Sequence, residues 1–243
     1  MYKSFNLFGI KFISSDYNSI ITRLNKGSFM VVPAAPALAT INEDKKYYEA
    51  LLNSDFAIPD SGYMVLLINL FKKMKIKKLS GYAFIQKFIR EKVLRKENCL
   101  FLIDPSKKDI NINNEFLHNN DILIDIENHY CAPFYNREKI IDPILLEILE
   151  QKRPKYILVN LGGGVQERLG SYLKNNLSYA PGIICTGAAI SFLTGRQARI
   201  PNIIDRLYLG WLWRIFNKPT IFIPRYLKGI KLAIMLLKKG SVT

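Results

Sequence analysis

The chain alternates short runs of consecutive apolar residues with longer segments in which apolar positions recur every three or four residues. Continuous short runs are typical of strands buried on both faces of a sheet, and the longer spacing is typical of helices that cover it. The pattern predicts seven strands: FNLFGIKF (5–12), SFMVVP (28–33), FAIP (56–59), NCLFLID (98–104), DILIDIEN (121–128), KYILVNL (155–161) and GIIC (182–185).

Helical spacing lies between these runs. It predicts helices in SSDYNSIITRLNK (14–26), NEDKKYYEALLNS (42–54), GYMVLLINLFKKMK (62–75), AFIQKFIREKVLRK (83–96) and VQERLGSYLKNN (165–176). A serine cap is expected to open the first, and a basic last turn that suits the helix dipole is expected to end the helix at 62–75. Strands and helices that alternate in this way predict an α/β fold: a Rossmann-like, mostly parallel sheet flanked by helices.

The pattern changes after residue 195. The segment 196–243 has no strand pattern, is rich in aromatic residues, and holds ten Lys or Arg with Asp205 as its only acid. We therefore predict an α/β domain over 1–195 and a basic, amphipathic helical appendage over 196–243.

The end of this appendage is strongly amphipathic. An apolar stripe comprises Tyr226, Ile230, Ala233, Ile234 and Leu237, and the opposite arc comprises Arg225, Lys228, Lys231, Lys238 and Lys239. Such a helix can pack on a core, pair with another subunit or lie in a lipid interface. Its purely basic polar face favours an anionic membrane surface.

Charge and cysteine content narrow the function classes. The formal net charge is +15, which indicates anionic partners: nucleic acid, phosphorylated small molecules or an acidic membrane. No RRM or helix-turn-helix pattern accompanies this charge, so nucleic acid is not the expected partner. The cysteines Cys99, Cys131 and Cys185 form no CxxC pair, which argues against a zinc site or disulfide framework and for a reducing, cytoplasmic setting. No signal peptide or apolar run of spanning length is expected.

A triple glycine separates a predicted strand from a predicted helix. In LVNLGGGVQERL, Gly162, Gly163 and Gly164 would let backbone N–H groups approach an anion such as a nucleotide phosphate at the helix start. A purely structural turn is an equally common use of such glycines. Gln166 and Glu167 add hydrogen-bonding groups for a sugar or base, although a carboxylate near a helix N-terminus is stabilising in any case.

Asp60 occupies a second strand end, in FAIPDSGYMV. One interpretation is a helix cap or Asx turn, for which Asp-Ser-Gly is well suited. The other is a carboxylate at the carboxyl end of a parallel strand, where open α/β sheets bind ligands and where it could accept a proton from an attacking hydroxyl. We expect this side chain to lie unprotonated beside the triple-glycine loop.

Several motifs in series resemble the WecG/TagA/CpsF family of bacterial glycosyltransferases. They are PDSG (59–62), KLSG (78–81), GGGVQE (162–167) and TGAAISFLTGRQARIP (186–201), followed by W-x-x-R (211–214) and KP-x-x-x-x-PRY (218–226). Their order and spacing match the family along nearly the whole chain.

The resemblance implies an inverting transfer of a sugar, without metal or cofactor, from a UDP-sugar to a polyprenyl-pyrophosphate-linked glycan during surface polysaccharide synthesis. It implies a peripheral location at the cytoplasmic face of the plasma membrane, held by the C-terminal helix, and leaves homo-oligomerisation open. It makes Asp60 the general base, places Lys78 at the family's arginine, and gives Gln166, Arg214 and Arg225 catalytic roles. The implied substrate-binding residues are Ser61, Gly62, Gly81, Gly162, Gly163, Gly164, Glu167, Gly187 and Arg199.

The chain also departs from the family pattern. Val32, Pro33 and Ala34 stand where the family usually has Thr-Pro-Asn, and Ser191 stands where it usually has an acid. We expect an altered sugar pocket, so no donor sugar is assigned. Two alternatives remain: a non-catalytic nucleotide or polyanion binding protein, and a membrane scaffold derived from the family.

Overall fold

The computed structural model describes residues 4–96, 99–187, 189–196, 204, 208–217, 219–238 and 242. Its strands are β1 (Ser4–Leu7), β2 (Ile10–Ile13), β3 (Phe29–Val31), β4 (Phe56–Ala57), β5 (Leu100–Asp104), β6 (His129–Cys131), β7 (Tyr156–Val159) and β8 (Gly182–Cys185). They form one eight-stranded sheet in the order β1-β2-β4-β3-β8-β7-β5-β6.

Helices follow most of the strands. The α-helices in the described residues are α1 (Tyr17–Leu24), α2 (Ala35–Leu38), α3 (Lys45–Leu52), α4 (Gly62–Phe71), α5 (Gly81–Phe88), α6 (Lys107–His118), α7 (Pro143–Lys152), α8 (Val165–Asn176), α9 (Ala189–Leu193), α10 (Gly210–Asn217) and α11 (Pro219–Leu237). Two short 3-10 helices cover Lys92–Arg95 and Ile126–Asn128.

Every neighbouring strand pair is parallel except the β1–β2 hairpin. The predicted α/β, Rossmann-like architecture is thus confirmed. Because seven strands run in one direction, their carboxyl ends meet along one edge of the sheet. That edge is where proteins of this architecture bind ligands.

Strand residues alternate between two cores, one on each face of the sheet. In β3, Phe29 and Val31 join the core beneath α4, α7, α8 and α11, while Met30 joins the core beneath α1, α5 and α9. In β7, Ile157 joins the first of these cores and Leu158 joins the second. This explains the continuous apolar runs, because each strand is covered on both faces.

Two strand predictions are wrong in detail. Residues 5–12 form a hairpin rather than one strand, because Phe8 and Gly9 adopt positive φ angles of 52° and 79° and reverse the chain. The run 121–128 is not a strand, and the next three residues form β6 instead. Ile122 and Ile124 do pack into the core, but Leu123 and Ile126 face solvent.

Two helix ends also differ from expectation. Asp16, not a serine, caps α1, and its carboxylate accepts a hydrogen bond from the Ser19 N–H at 3.0 Å. Helix α4 ends at Phe71, so no basic last turn exists. The following lysines lie in an irregular segment, 72–80, which returns the chain to the carboxyl edge at the start of α5.

The last helix packs against the α/β domain. Leu232 and Leu236 of α11 are fully buried in the core, and the helix contacts α2 and α4. Three residues of the predicted apolar stripe, Ile230, Ile234 and Leu237, are exposed on the opposite face of this helix. None of the described helices is long and apolar enough to span a bilayer.

Candidate active site

Asp60 stands just beyond β4 with its carboxylate at the start of α5. Its Oδ1 accepts a hydrogen bond of 2.9 Å from the N–H of Gly81, the first residue of that helix. The cap of α4 is Ser61, whose hydroxyl accepts from the Met64 N–H at 3.4 Å. The structure therefore gives the cap to Ser61 and leaves Asp60 partly exposed.

The chain before α10 lies against both motifs around Asp60. A β-carbon added to Gly62 would come within 2.4 Å of the Tyr208 carbonyl oxygen, so only glycine fits there. The Tyr208 hydroxyl accepts a 3.4 Å hydrogen bond from the backbone N–H of Lys78, whose side chain is partly buried. Sequence reasoning gave Tyr208 no role, although it joins the PDSG and KLSG motifs.

The triple-glycine loop follows β7 and is open on one side. Gly162 and Gly163 are exposed, and a β-carbon on either would meet nothing within 4 Å. The N–H groups of Val165 and Gln166 both point back to the Gly162 carbonyl at 3.2 Å. An anion at this loop would therefore meet the exposed backbone of Gly162 and Gly163 rather than the first amides of α8.

Gln166 and Glu167 are directed inward. Glu167 is 1% exposed, and this burial raises the pKa of its carboxyl group. The carboxylate accepts hydrogen bonds from the Gly164 N–H at 2.6 Å and from the Gln166 side-chain amide at 2.9 Å. The Gln166 Oε1 accepts from the N–H of Gly187, beyond β8, at 2.7 Å. These side chains join the glycine loop to the turn after β8, so their contribution to a ligand site lies in positioning both.

Arg168 supports the glycine loop from behind. Its guanidinium donates to the Gly164 carbonyl at 2.6 Å and pairs with Asp44, the cap of α3. The arginine also lies over the Tyr47 ring, 5.8 Å from its centre. Sequence reasoning missed this group; a cationic side chain one helical turn after the loop was the available signal.

Four strand ends form a row along the carboxyl edge. Asp60 follows β4, Val32 follows β3, Thr186 follows β8 and the glycine loop follows β7. With strands about 4.8 Å apart, three spacings separate Asp60 from the loop by roughly 14 Å at sheet level. The expectation that the two lie side by side is therefore corrected, because the ends of β3 and β8 stand between them.

The middle of this row contains an unsatisfied polar group. Thr186 is 9% exposed, and its buried hydroxyl has no hydrogen-bond partner within the described residues. Val32 lies about 3.5 Å from where a β-carbon of Gly81 would sit, so it makes the wall beside Asp60 apolar. Buried hydroxyls normally find partners, so Thr186 is a candidate ligand-binding group that the sequence analysis did not name.

A buried polar network supports the same edge. Asp104, at the end of β5, accepts from the side-chain amides of Asn113 at 2.7 Å and Asn160 at 2.8 Å. Its other oxygen lies 3.2 Å from Nδ1 of His129. Because Asn160 precedes the glycine loop, the network anchors that loop to β5 and β6. His129, which the sequence analysis assigned no function, is part of this anchor.

The remaining predicted site residues cannot be placed. Arg199 lies outside the described residues, as do the side chains of Arg214 and Arg225, although α10 and α11 contain their backbones. Within the described ranges, no group of three or more His, Cys, Asp or Glu side chains could hold a metal ion.

A parallel α/β sheet with a carboxylate at one strand end and a glycine loop at another has the form of a Rossmann-like ligand-binding protein. The family model described as "Glycosyl transferase WecG/TagA/CpsF family" matches residues 5–242, and the chain belongs to this family. The expected membership is thereby confirmed.

Two curated relatives carry the name N-acetylglucosaminyldiphosphoundecaprenol N-acetyl-beta-D-mannosaminyltransferase. The protein from Bacillus spizizenii is 24% identical over 236 residues, which cover 91% of this chain and 88% of the relative. The protein from Bacillus subtilis is 22% identical over 241 residues, which cover 90% of this chain and 88% of the relative.

Proposed function

We propose that this protein is an inverting glycosyltransferase that moves a sugar from a UDP-sugar to a saccharide carried on polyprenyl diphosphate. The relatives' names describe transfer to a diphosphoundecaprenol-linked sugar. Those names also specify a β-linked product, which is what inversion of an α-linked nucleotide sugar gives. We further propose that the reaction uses neither a metal nor a cofactor.

The observation that carries this proposal is the partly exposed Asp60 carboxylate, held by the Gly81 N–H at the carboxyl edge. Asp60 takes the proton of the acceptor hydroxyl as its oxygen attacks the anomeric carbon. The bond from that carbon to the diphosphate breaks, and its electron pair leaves with UDP. A positioned base of this kind contributes about 10² to 10⁴ in rate.

The donor would lie along the row of strand ends. Its sugar would lie near Asp60 and Val32, and its nucleotide would extend over Thr186 toward Gly162 and Gly163. Charge that develops on the leaving diphosphate needs cations and N–H donors, and we assign this role to Lys78 and the exposed loop backbone. Arg199, Arg214 and Arg225 remain proposed contributors. The apolar Val32 supports a sugar pocket that differs from the family's usual one.

We also propose that the protein works at the cytoplasmic face of the membrane, where α11 holds it on anionic lipid. Support comes from the exposed apolar side chains of this helix and from the net charge of +15. A lipid-linked acceptor, as named for the relatives, would itself lie at a membrane surface.

The test is Asp60→Asn, assayed with a panel of UDP-sugars and a short-chain lipid-diphosphate saccharide. The amide keeps an oxygen to accept from Gly81 but cannot take a proton. Turnover should therefore fall at least a hundredfold, while calorimetric binding of UDP stays within a few fold. Asp125→Asn, at an exposed position before β6, is the matched control and should retain full activity.

A fully active Asp60→Asn protein would remove this residue from the mechanism. Nucleotide binding without turnover on any donor would instead favour the non-catalytic alternative.

A further inference from the structure

Two neighbouring helices expose apolar side chains on their outer faces. On α11 these recur every three or four residues and form one stripe: Ile223, Leu227, Ile230, Ile234 and Leu237. On α4 they are Leu66, 38% exposed, and Leu70, 70% exposed. Contiguous exposed apolar surface marks an interaction site.

The two helices run side by side in the same direction. At one end the Tyr63 hydroxyl donates to the Gly229 carbonyl at 3.2 Å, and at the other the Lys72 ammonium donates to the Lys238 carbonyl at 2.9 Å. The two contacts are nine residues apart on each chain segment, about 13 Å along a helix. Leu66 and Leu70 lie about one and two turns after Tyr63, on the face of α4 that points away from its buried side.

The irregular segment 72–80 adds cations to the face of the sheet that α4 and α11 cover. Lys73, Lys75 and Lys77 are exposed, while Met74 and Ile76 pack on the core that α4 and α11 also cover. Because the residues between them are packed on that core, the three exposed lysines project away from it.

Hydrogen bonds hold this segment in place. The Asn69 side chain bonds to both the N–H and the carbonyl of Ile76, at 2.8 and 3.0 Å. The Ser14 hydroxyl does the same for Lys77, at 3.2 and 2.9 Å. The lysines are therefore carried on a fixed backbone, which reduces the entropy lost when they bind a charged surface.

We propose that Leu66 and Leu70 of α4, together with the lysines at 73, 75 and 77, form with α11 one composite surface that binds an anionic bilayer. The α/β domain would thus contact the lipid directly, and the C-terminal helix would not be the sole point of attachment. Since α4 begins two residues after Asp60, docking of this helix would also fix the height of the carboxylate relative to the headgroups. This inference rests on the proposed membrane function.

Charge decides between a bilayer and a second copy of the chain. A self-complementary contact would bring the lysine segments of two copies, each of net charge +15, toward each other. Anionic headgroups instead attract each nearby lysine by about 1 kcal/mol, and the apolar stripe enters the acyl boundary.

The experiment is flotation of the full chain with vesicles of phosphatidylglycerol and phosphatidylcholine, or of phosphatidylcholine alone. The variants are Lys73→Gln/Lys75→Gln/Lys77→Gln and Leu66→Gln/Leu70→Gln. A matched charge control, Lys26→Gln/Lys96→Gln/Lys108→Gln, removes three exposed lysines outside the proposed surface and gives the same net charge, +15 − 3 = +12. Leu123→Gln/Ile126→Gln is the matched apolar control.

The lysine variant should lose about a hundredfold in affinity for anionic vesicles, and the leucine variant should lose binding even at low salt. Both controls should bind as wild type does. Equal affinities of test and control variants would overturn the composite surface. It would also fail if the leucine changes abolished a dimer in analytical ultracentrifugation while vesicle binding persisted.

The same comparison separates this inference from the enzyme assignment. Wild-type protein that floats with vesicles in the predicted residue-dependent way, yet turns over no donor with a detergent-solubilised acceptor, would leave the surface standing and the transferase proposal refuted. Turnover without the predicted differences in flotation would leave the transferase proposal standing and refute the composite surface.

Discussion

Thr186 carries a buried hydroxyl at the centre of the row of strand ends, with no partner among the described residues. Thr186→Val keeps the shape and removes the hydroxyl. If the hydroxyl binds the donor, UDP affinity should fall about tenfold, the usual effect of one lost hydrogen bond. The melting temperature should hold or rise, because an unsatisfied buried group is lost. Calorimetry and thermal unfolding measure both; unchanged UDP affinity would contradict the assignment, and Thr186→Ser should bind as wild type does.

Glu167 should make stability depend on pH. Burial raises the pKa of this carboxyl above its ordinary value of 4.5. Between 4.5 and the raised pKa, the folded protein keeps a proton that the unfolded chain has lost, so the free energy of unfolding should decrease as pH rises through that window. Urea titrations at several pH values measure this slope. Glu167→Gln should flatten it, and the exposed control Glu115→Gln should leave it unchanged.

For single residues, the sequence identified groups on the carboxyl edge of the sheet but neither their spacing nor the partner that each one bonds. The strand end at Pro59 correctly placed Asp60 on the carboxyl edge, because a short apolar run that stops at proline marks that position. Ser61 caps α4, whereas the Asp60 carboxylate bonds to the N–H of Gly81, 21 residues along the chain. The inward direction of Gln166 depends likewise on Gly187. Local pattern holds no information about such distant partners.

Within the glycine loop, neighbouring glycines should behave differently. Gly164 has φ +89°, and a β-carbon there would lie 3.2 Å from the Arg168 guanidinium, so Gly164→Ala should destabilise the fold by about 1 to 3 kcal/mol. Gly163→Ala meets open space and should stay within about 0.5 kcal/mol of wild type. Denaturant midpoints distinguish the two. Equal midpoints would show that the loop tolerates a side chain at either position.

Most elements were predictable because buried strands and amphipathic helices carry strong periodic patterns. Errors arose where tertiary packing overrides pattern. The run 121–128 has the apolar content of a strand, but β6 needs only His129, Tyr130 and Cys131 to pair with β5. The basic last turn predicted for α4 does not exist, because the helix ends at Phe71 and the Ser14 and Asn69 side chains bond to the backbone of the irregular segment that follows.

For the molecule as a whole, the packing of α11 changes what truncation would do. Removal of the residues after 217 would expose core partners of Leu232, Met235 and Leu236, which are nearly or fully buried. At about 2 kcal/mol for each large side chain, the domain should lose roughly 6 kcal/mol of stability as well as the proposed vesicle binding. Thermal unfolding and flotation measure these losses. A truncated protein that melts as the full chain does would show that α11 is a separable appendage.

Gly62 has a mechanical consequence for the whole molecule. It stands two residues from Asp60, and its α-carbon touches the Tyr208 backbone with no space for even one methyl group. A displacement of the chain leading into α10 would therefore also displace Gly62 and, two residues earlier, the Asp60 carboxylate. In Gly62→Ala the added methyl group would separate the two backbones. This substitution would shift the chain before α10 relative to the sheet without a change in its length or charge.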